Sequence, residues 1–204
     1  VNDAPVAVAV NSPSTTEGGT TTYHLTATDS DNSNINTFNF IIVNQPANGS
    51  LTISDPPTYT SGTFTAVATY THNGNETTSD SFTYYANDGA ADSNTATATI
   101  TITAVNDAPV ANNVSGSGNE AGTITTTLTA TDVDNSTAGD ITFSIVSTPT
   151  NISGSVSIGS VSYSGSTFSA TATYTHDGSE TTSDSFTYKA NDGAANSNTA
   201  TATI

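Results

Sequence analysis

Cysteine, methionine and tryptophan are absent from this chain, arginine is absent too, and one lysine, Lys189, stands against 18 acidic residues. Without cysteine there is no disulfide framework and no thiol chemistry, and the redox compartment cannot be read from the sequence. A formal charge of −17 excludes nucleic acid as a partner, because phosphate binding needs clustered Lys or Arg. It excludes an anionic membrane surface for the same reason. No apolar run reaches membrane-spanning length and no signal peptide is visible, so no membrane insertion is expected of this segment. Charged residues make up only 9% of the chain; Thr, Ser, Asn and Gly supply most of the polarity. Acids without basic partners either repel one another in water or hold cations.

What the chain does have is a copy of itself. The pentapeptide VNDAP occurs at Val1 to Pro5 and again at Val105 to Pro109, an offset of 104. The stretch from Tyr70 to Ile100 returns, nearly unchanged and at the same offset, from Tyr174 to Ile204. A fixed period marks an array, and a period near 100 residues matches one small domain with its own core. Two repeats are expected, 1–104 and 105–204. The second stops at Ile204, where the first continues through Thr101 to Ala104 into the next VNDAP, so the chain reads as a piece of a longer array. The Pro of VNDAP fixes φ and the connector is short, which implies a direct joint.

Within one repeat, helix signals are missing and period-two alternation dominates. Val6 to Val10, Tyr23 to Ala27, Thr37 to Ile41, Ser50 to Ile53, Thr63 to Tyr70, Ser81 to Tyr84 and Thr95 to Ile102 read as about seven strands. Glu17-Gly18-Gly19, Asn48-Gly49, Asn73-Gly74 and Asp88-Gly89 supply the turns between them. Seven short strands in about 100 residues predict an all-β fold: two tandem antiparallel Greek-key sandwiches of immunoglobulin-like type. Phe38, Phe40, Leu51, Ile53, Phe64, Phe82, Tyr84 and Ile100 are the expected core. So light a core leaves room for help from a ligand that binds only the folded state.

The acids repeat with the fold. Asp29-Ser30-Asp31-Asn32-Ser33 in the first copy corresponds to Asp132-Val133-Asp134-Asn135-Ser136 in the second. Such strings are either solvated turns or cation sites. Two carboxylates about 4 Å apart repel by roughly 4 kcal/mol at intermediate dielectric, and one lysine cannot offset that throughout the chain. Ca²⁺, which takes six to eight oxygen ligands, fits the residue types. Asp80 and Asp184 read instead as turn caps.

These stretches resemble a known family. Leu25 to Ile41 (LTATDSDNSNINTFNFI) is similar to the ATDADSG-type segment of cadherin repeats. Tyr85 to Gly89 is similar to their AxDxG motif, and Ile100 to Ala111 (ITITAVNDAPVA) to the last strand entering the DxNDNAP linker. The chain thus resembles the cadherin-like, immunoglobulin-like repeats of large bacterial surface adhesins, and more distantly animal cadherin repeats. The resemblance implies calcium ligands at the joint between repeats. Glu17 and Glu76 would come from the first unit, Asn106 (by its carbonyl) and Asp107 from the linker, and Asp132, Asp134 and Asp192 from the second. Asp3, Asp29, Asp31 and Asp88 would be a half-site awaiting a preceding unit, and Glu120 and Glu180 would await a following one. The linker departs from the family at Ala104 and Ala108, and the family's DRE motif is replaced by Asn73 to Glu76, so one or two ions per joint are expected rather than three.

Catalytic signatures are lacking: no GxSxG elbow and no Ser/His/Asp ordering. His72 and His176 have neither a Cys nor a second His at ligand spacing and read as packed or hydrogen-bonded histidines. No enzymatic activity is expected. The resemblance implies calcium-stiffened extender repeats of an extracellular or cell-surface adhesin, whose partners are neighbouring repeats of the chain. Two alternatives remain. One is carbohydrate binding through Tyr23, Tyr59, Tyr84, Tyr85, Tyr163 or Tyr188. The other is self-association with like domains on other cells or in a filament, through an edge strand at Thr95 to Ile102.

Overall fold

The computed structural model describes every residue but Asp55, and every side chain among these but those of residues 11–13. The described residues form strands and no helix, in two compact units, Val1–Val105 and Asn106–Ile204.

The first unit contains β1 (Val6–Val8), β2 (Val10–Thr16), β3 (Thr20–Thr28), β4 (Asn39–Asn44), β5 (Gly49–Ile53), β6 (Thr58–Thr60), β7 (Thr63–His72), β8 (Ser79–Asn87) and β9 (Ala96–Thr103). One sheet runs β1-β3-β7-β5, with β6 also on β7; the other runs β2-β9-β8-β4. The second unit repeats this with β10 (Val110–Ala111), β11 (Val114–Ser115), β12 (Thr123–Thr131), β13 (Thr142–Ser147), β14 (Ile152–Ile158), β15 (Ser162–Ser164), β16 (Thr167–His176), β17 (Ser185–Asn191) and β18 (Ala200–Thr203). Its sheets run β10-β12-β16-β14, with β15 on β16, and β11-β18-β17-β13.

Alternation makes each sheet two-faced. Along β9 the buried residues are Ala96, Ala98, Ile100 and Ile102, with threonines between them facing out. Across β3 and β7 each large side chain meets a small one, Tyr23 opposite Ala68, Leu25 opposite Ala66 and Phe64 opposite Ala27. This lets facing layers interdigitate in a core dominated by alanine. Phe38 stacks on Phe64 with ring centroids 3.6 Å apart, and Tyr23 meets Phe82 edge-on at 5.6 Å. In the second unit Thr126 takes the place of Tyr23, opposite Ala172, and its hydroxyl donates to the Ser115 carbonyl at 3.2 Å. The two-residue loop between β6 and β7 has positive φ at both Ser61 (49°) and Gly62 (86°), as does Gly165 (57°) and Ser166 (64°) between β15 and β16. Both are the hairpin turn whose twist suits its strands.

Three expectations from the sequence need correction. The alternating Val6 to Val10 segment is not one strand. It divides between the sheets, and β2 then pairs parallel to β9, as β11 does with β18, so the sandwich is not purely antiparallel. The reason is visible at the crossing. The Tyr84 hydroxyl donates to the Val8 carbonyl, and the Asn94 side chain accepts from Ala7 N–H and donates to its carbonyl, both at 3.0 Å. Tyr188 on Asn112 and Asn198 on Ala111 repeat the arrangement. Second, the Thr95 to Ile102 segment is no free edge, since β9 lies between β2 and β8. Third, Phe40, Leu51 and Ile53 are only half-buried, packed against the core rather than within it.

Asn94 therefore does the work of a neighbouring strand for a buried edge residue. Asn94→Ala and Asn198→Ala are each expected to destabilise their own unit by about 1–3 kcal/mol, the cost of orphaning buried backbone groups. Asn44→Ala, which removes an exposed bond to Thr83, should change stability by less than about 0.5 kcal/mol. Urea unfolding of the three variants checks this.

Candidate metal centre

Each unit places its candidate ligands at two opposite poles. β3 leaves Glu17 behind it and delivers Asp29 and Asp31 ahead of it; β7 delivers Glu76, and β8 returns to deliver Asp88. Nine residues of strand at about 3.3 Å each separate the glutamate pole from the aspartate pole by roughly 30 Å. In the second unit Asp132, Asp134 and Asp192 share one pole, and Glu120 and Glu180 the other.

At the aspartate pole of the first unit, Asp29 folds its own loop. Its Oδ1 accepts the N–H groups of Asp31 and Asn32, both at 3.0 Å, as an Asp at the start of a turn readily does. Its Oδ2 is buried without a hydrogen-bond partner. Asp31 Oδ2 accepts the Asp3 N–H at 3.1 Å, and Ser30 donates to Asp3 Oδ2 at 3.0 Å. Asp88 Oδ1 accepts Ala90 and Ala91 N–H at 2.7 Å each, and its Oδ2 accepts the Asn2 amide at 2.9 Å. Asp29 and Asp88 are 8% and 5% exposed; Asp3 and Asp31 are open to solvent.

The second unit builds the same pole. Asp132 Oδ1 accepts Asp134 and Asn135 N–H at 2.9 and 3.2 Å, and its Oδ2 is again buried and unpartnered. Asp134 Oδ2 accepts the Asp107 N–H at 2.6 Å, and the Asn106 amide donates to Asp192 Oδ2 at 2.8 Å. Asp192 Oδ1 accepts Ala194 and Ala195 N–H. The Asn2 and Asn106 side chains, which hold an aspartate in place, carry a role that sequence reading missed; their place in the repeated VNDAP was the available signal.

The carboxyls of one pole are pulled in opposite directions. Burial raises the Asp29 pKa; its two backbone hydrogen bonds oppose the shift and the nearby Asp31 charge adds to it. The Ala91 N–H, with the Asn2 amide, holds Asp88 below the usual carboxylate range. The Ala195 N–H and the Asn106 amide do the same for Asp192. At the glutamate pole, Glu17 and Glu76 each bring a carboxylate oxygen within 4.8 Å of the other. Glu17 Oε2 accepts the Val105 N–H at 3.3 Å, and its Oε1 is buried and unpartnered. Three buried carboxylate oxygens have lone pairs free, a chemistry that fits a hard cation; within either unit, among the described residues, no three acids converge within 4.8 Å.

The remaining candidates have structural partners. Asp80 accepts Ala47, Asn48 and Ser81 N–H and the Tyr70 hydroxyl, at 2.8–3.0 Å. Asp184 accepts Thr150, Asn151 and Ser185 N–H. His72 and His176 are buried and hydrogen-bonded. Tyr23, Tyr84 and Tyr188 are at most 1% exposed and are corrected from sugar-facing candidates to core residues. Tyr59 packs against Phe64 and Tyr163 against Phe168.

Fold and poles together define a tandem pair of immunoglobulin-like β-sandwiches with acidic ends. The chain belongs to the family described as bacterial Ig domain, whose model matches residues 2–103 and 106–204. Among solved structures it is similar to protocadherin gamma B2 extracellular cadherin domains 1–5, at 18% identity and a TM-score of 0.56 over 100% of this chain and 40% of that one. It is also similar to mouse clustered PcdhgC3 EC1-3, at 18% identity and a TM-score of 0.52 over 98% and 66%. At these identities the likeness is one of fold, and the chain spans less than two thirds of the length of both. No curated protein matches it. No helix among the described residues is long and apolar enough to cross a membrane.

Asp80 and Asp184 generate a prediction about acid. Burial alone would raise both pKa values, but the N–H donors, with Tyr70 for Asp80 and the Thr150 hydroxyl for Asp184, outweigh it and lower them. The unfolded chain therefore takes up protons first as pH falls, and stability is lost on going below the ordinary Asp value of about 4. Asp80→Asn should cost about 1–3 kcal/mol at neutral pH by facing an amide N–H toward donors. It should also flatten the acid slope. Chemical denaturation at several pH values measures both effects.

Proposed function

We propose that the two units are calcium-binding extender repeats of a bacterial cell-surface or secreted adhesin. In this reading Ca²⁺ at the joint takes Glu17 and Glu76 from one repeat and Asn106, Asp107, Asp132, Asp134 and Asp192 from the next, and so stiffens the array. Asp3, Asp29, Asp31 and Asp88 serve the joint to a preceding repeat. The repeats are spacers, without catalysis of their own.

One observation carries the reading. Of four buried side-chain oxygens without a hydrogen-bond partner among the described residues, three belong to Glu17, Asp29 and Asp132. A buried carboxylate oxygen left unpaired is costly, and with one lysine in 204 residues the chain has almost no cation of its own to supply. A hard divalent ion with oxygen ligands removes that cost at each position. Membership of the bacterial Ig family and the cadherin-like fold support an extracellular setting, where modules of this kind bind Ca²⁺ with dissociation constants of about 10⁻⁴–10⁻³ M.

Thermal unfolding in EDTA and in millimolar CaCl₂, with small-angle scattering of both samples, tests it. Ion at about 100 times its dissociation constant adds roughly 2.7 kcal/mol per site, a rise of about 11–22 °C for a domain of this size. The particle should become longer and stiffer. Unchanged melting and scattering would reduce the acids to a solvated surface. Asp29→Asn sharpens the test by sign. The raised Asp29 pKa means that ionising this group opposes folding as pH rises, so the variant should melt no lower than the parent in EDTA at neutral pH. In CaCl₂ it should keep the gain made at the joint, whereas Asp132→Asn, whose buried unpartnered oxygen is assigned to that joint, should lose part of it.

A further inference from the structure

We infer that His72 is a positioning residue that holds the two glutamate-bearing loops of the first unit in register for Ca²⁺; the inference rests on the reading just proposed. Glu17 lies in the loop between β2 and β3, Glu76 in the loop between β7 and β8, and nothing in the covalent chain ties one loop to the other. His72, 3% exposed, does so. Its Nδ1 accepts the N–H of Gly18, next to Glu17, at 3.2 Å, and that of Gly74, two residues before Glu76, also at 3.2 Å. Its own N–H donates to the Gly19 carbonyl at 2.9 Å.

With two donors aimed at Nδ1, the neutral ring carries its proton on Nε2. That proton goes to Thr77 Oγ1 at 3.0 Å, and the Thr77 hydroxyl donates onward to Asn75 Oδ1 at 2.7 Å. The residues on both sides of Glu76 are thereby fixed through the same imidazole. Gly74, with φ of 84°, takes the left-handed turn that points its N–H back at the ring.

The clamp recurs in the second unit. His176 Nδ1 accepts Gly178 N–H at 3.1 Å and Ala121 N–H at 3.5 Å, and its Nε2 meets Thr181 Oγ1 at 3.0 Å. Its loops carry Glu120 and Glu180, at the pole opposite Asp132 and Asp192. Outer-shell partners of metal ligands typically control affinity by 10–100-fold, because without them the ion must order the ligands itself. His72 and His176 are locally alike, yet only His72 supports the pair assigned to the joint.

Calorimetric titration of the two-unit chain with CaCl₂ tests this, with melting temperature in EDTA as the second readout. The joint site is identified as the heat that Glu17→Gln removes. His72→Leu, which fills the space without hydrogen bonds, should weaken that site roughly tenfold or more. His72→Asn, which keeps an acceptor near Nδ1, should recover most of the affinity. His176→Leu should lower the EDTA melting temperature about as much as His72→Leu while leaving the joint site unchanged. If His72→Leu fails to fold, Thr77→Val, which removes only the Nε2 arm, should weaken the same site to a smaller degree. Unchanged affinity in both His72→Leu and Thr77→Val, or equal losses in His72→Leu and His176→Leu, would reduce His72 to a general stabiliser and overturn the inference. Absence of calcium heat in the unsubstituted chain overturns the parent reading and this role with it. Amide exchange at Gly18 and Gly74 in EDTA would then still show whether the clamp holds the loops.

Discussion

A carboxylate in this chain has backbone N–H groups and neutral side-chain donors to lean on, and almost no cation. With 18 acids and one lysine, charge pairing cannot organise the molecule, so the acids settle where turns expose N–H donors in groups. Asp80 and Asp184 collect enough donors to satisfy both oxygens, their pKa values fall, and they hold a turn against a strand. Asp29 and Asp132 collect donors on one oxygen only and bury the other without a partner. The same chemistry thus yields structural acids where the donors suffice and candidate ligands where they do not.

The sandwich turns that chemistry into geometry. Strands of nine and ten residues carry the acid-bearing loops to one pole or the other, so acids about 60 positions apart in sequence, such as Glu17 and Glu76, share one end. The alanine-rich interior tolerates this arrangement because large residues face small ones across the sheets. The opening segment must also divide between two sheets, and a tyrosine hydroxyl and an asparagine side chain take over the hydrogen bonds that a strand would otherwise make. Both devices occur in both units, on a core that differs at Tyr23 and Thr126.

Much of this was legible in the residues. Alternation located the main strands, since side chains on a strand take opposite faces in turn. The internal copy marked two repeats, and the DxDNS strings were visible as acids in turns. What pattern could not supply was the partner of each group. Tyr23, Tyr84 and Tyr188 read equally well as surface or core, because a tyrosine suits either; Val6 to Val10 read as one strand because both of its halves alternate. Asn94 left no signal at all, as its function depends on Ala7, 87 positions away.

The sequence by itself determined the all-β class, the tandem organisation and the shortage of cations, because periodicity, repetition and net charge are properties of the chain read in order. Only the tertiary structure decided which carboxylate oxygens are satisfied and which are not, and that His72 binds the Glu17 and Glu76 loops together. Burial and hydrogen bonding are made between residues far apart in sequence, and they exist only once the sheets have packed.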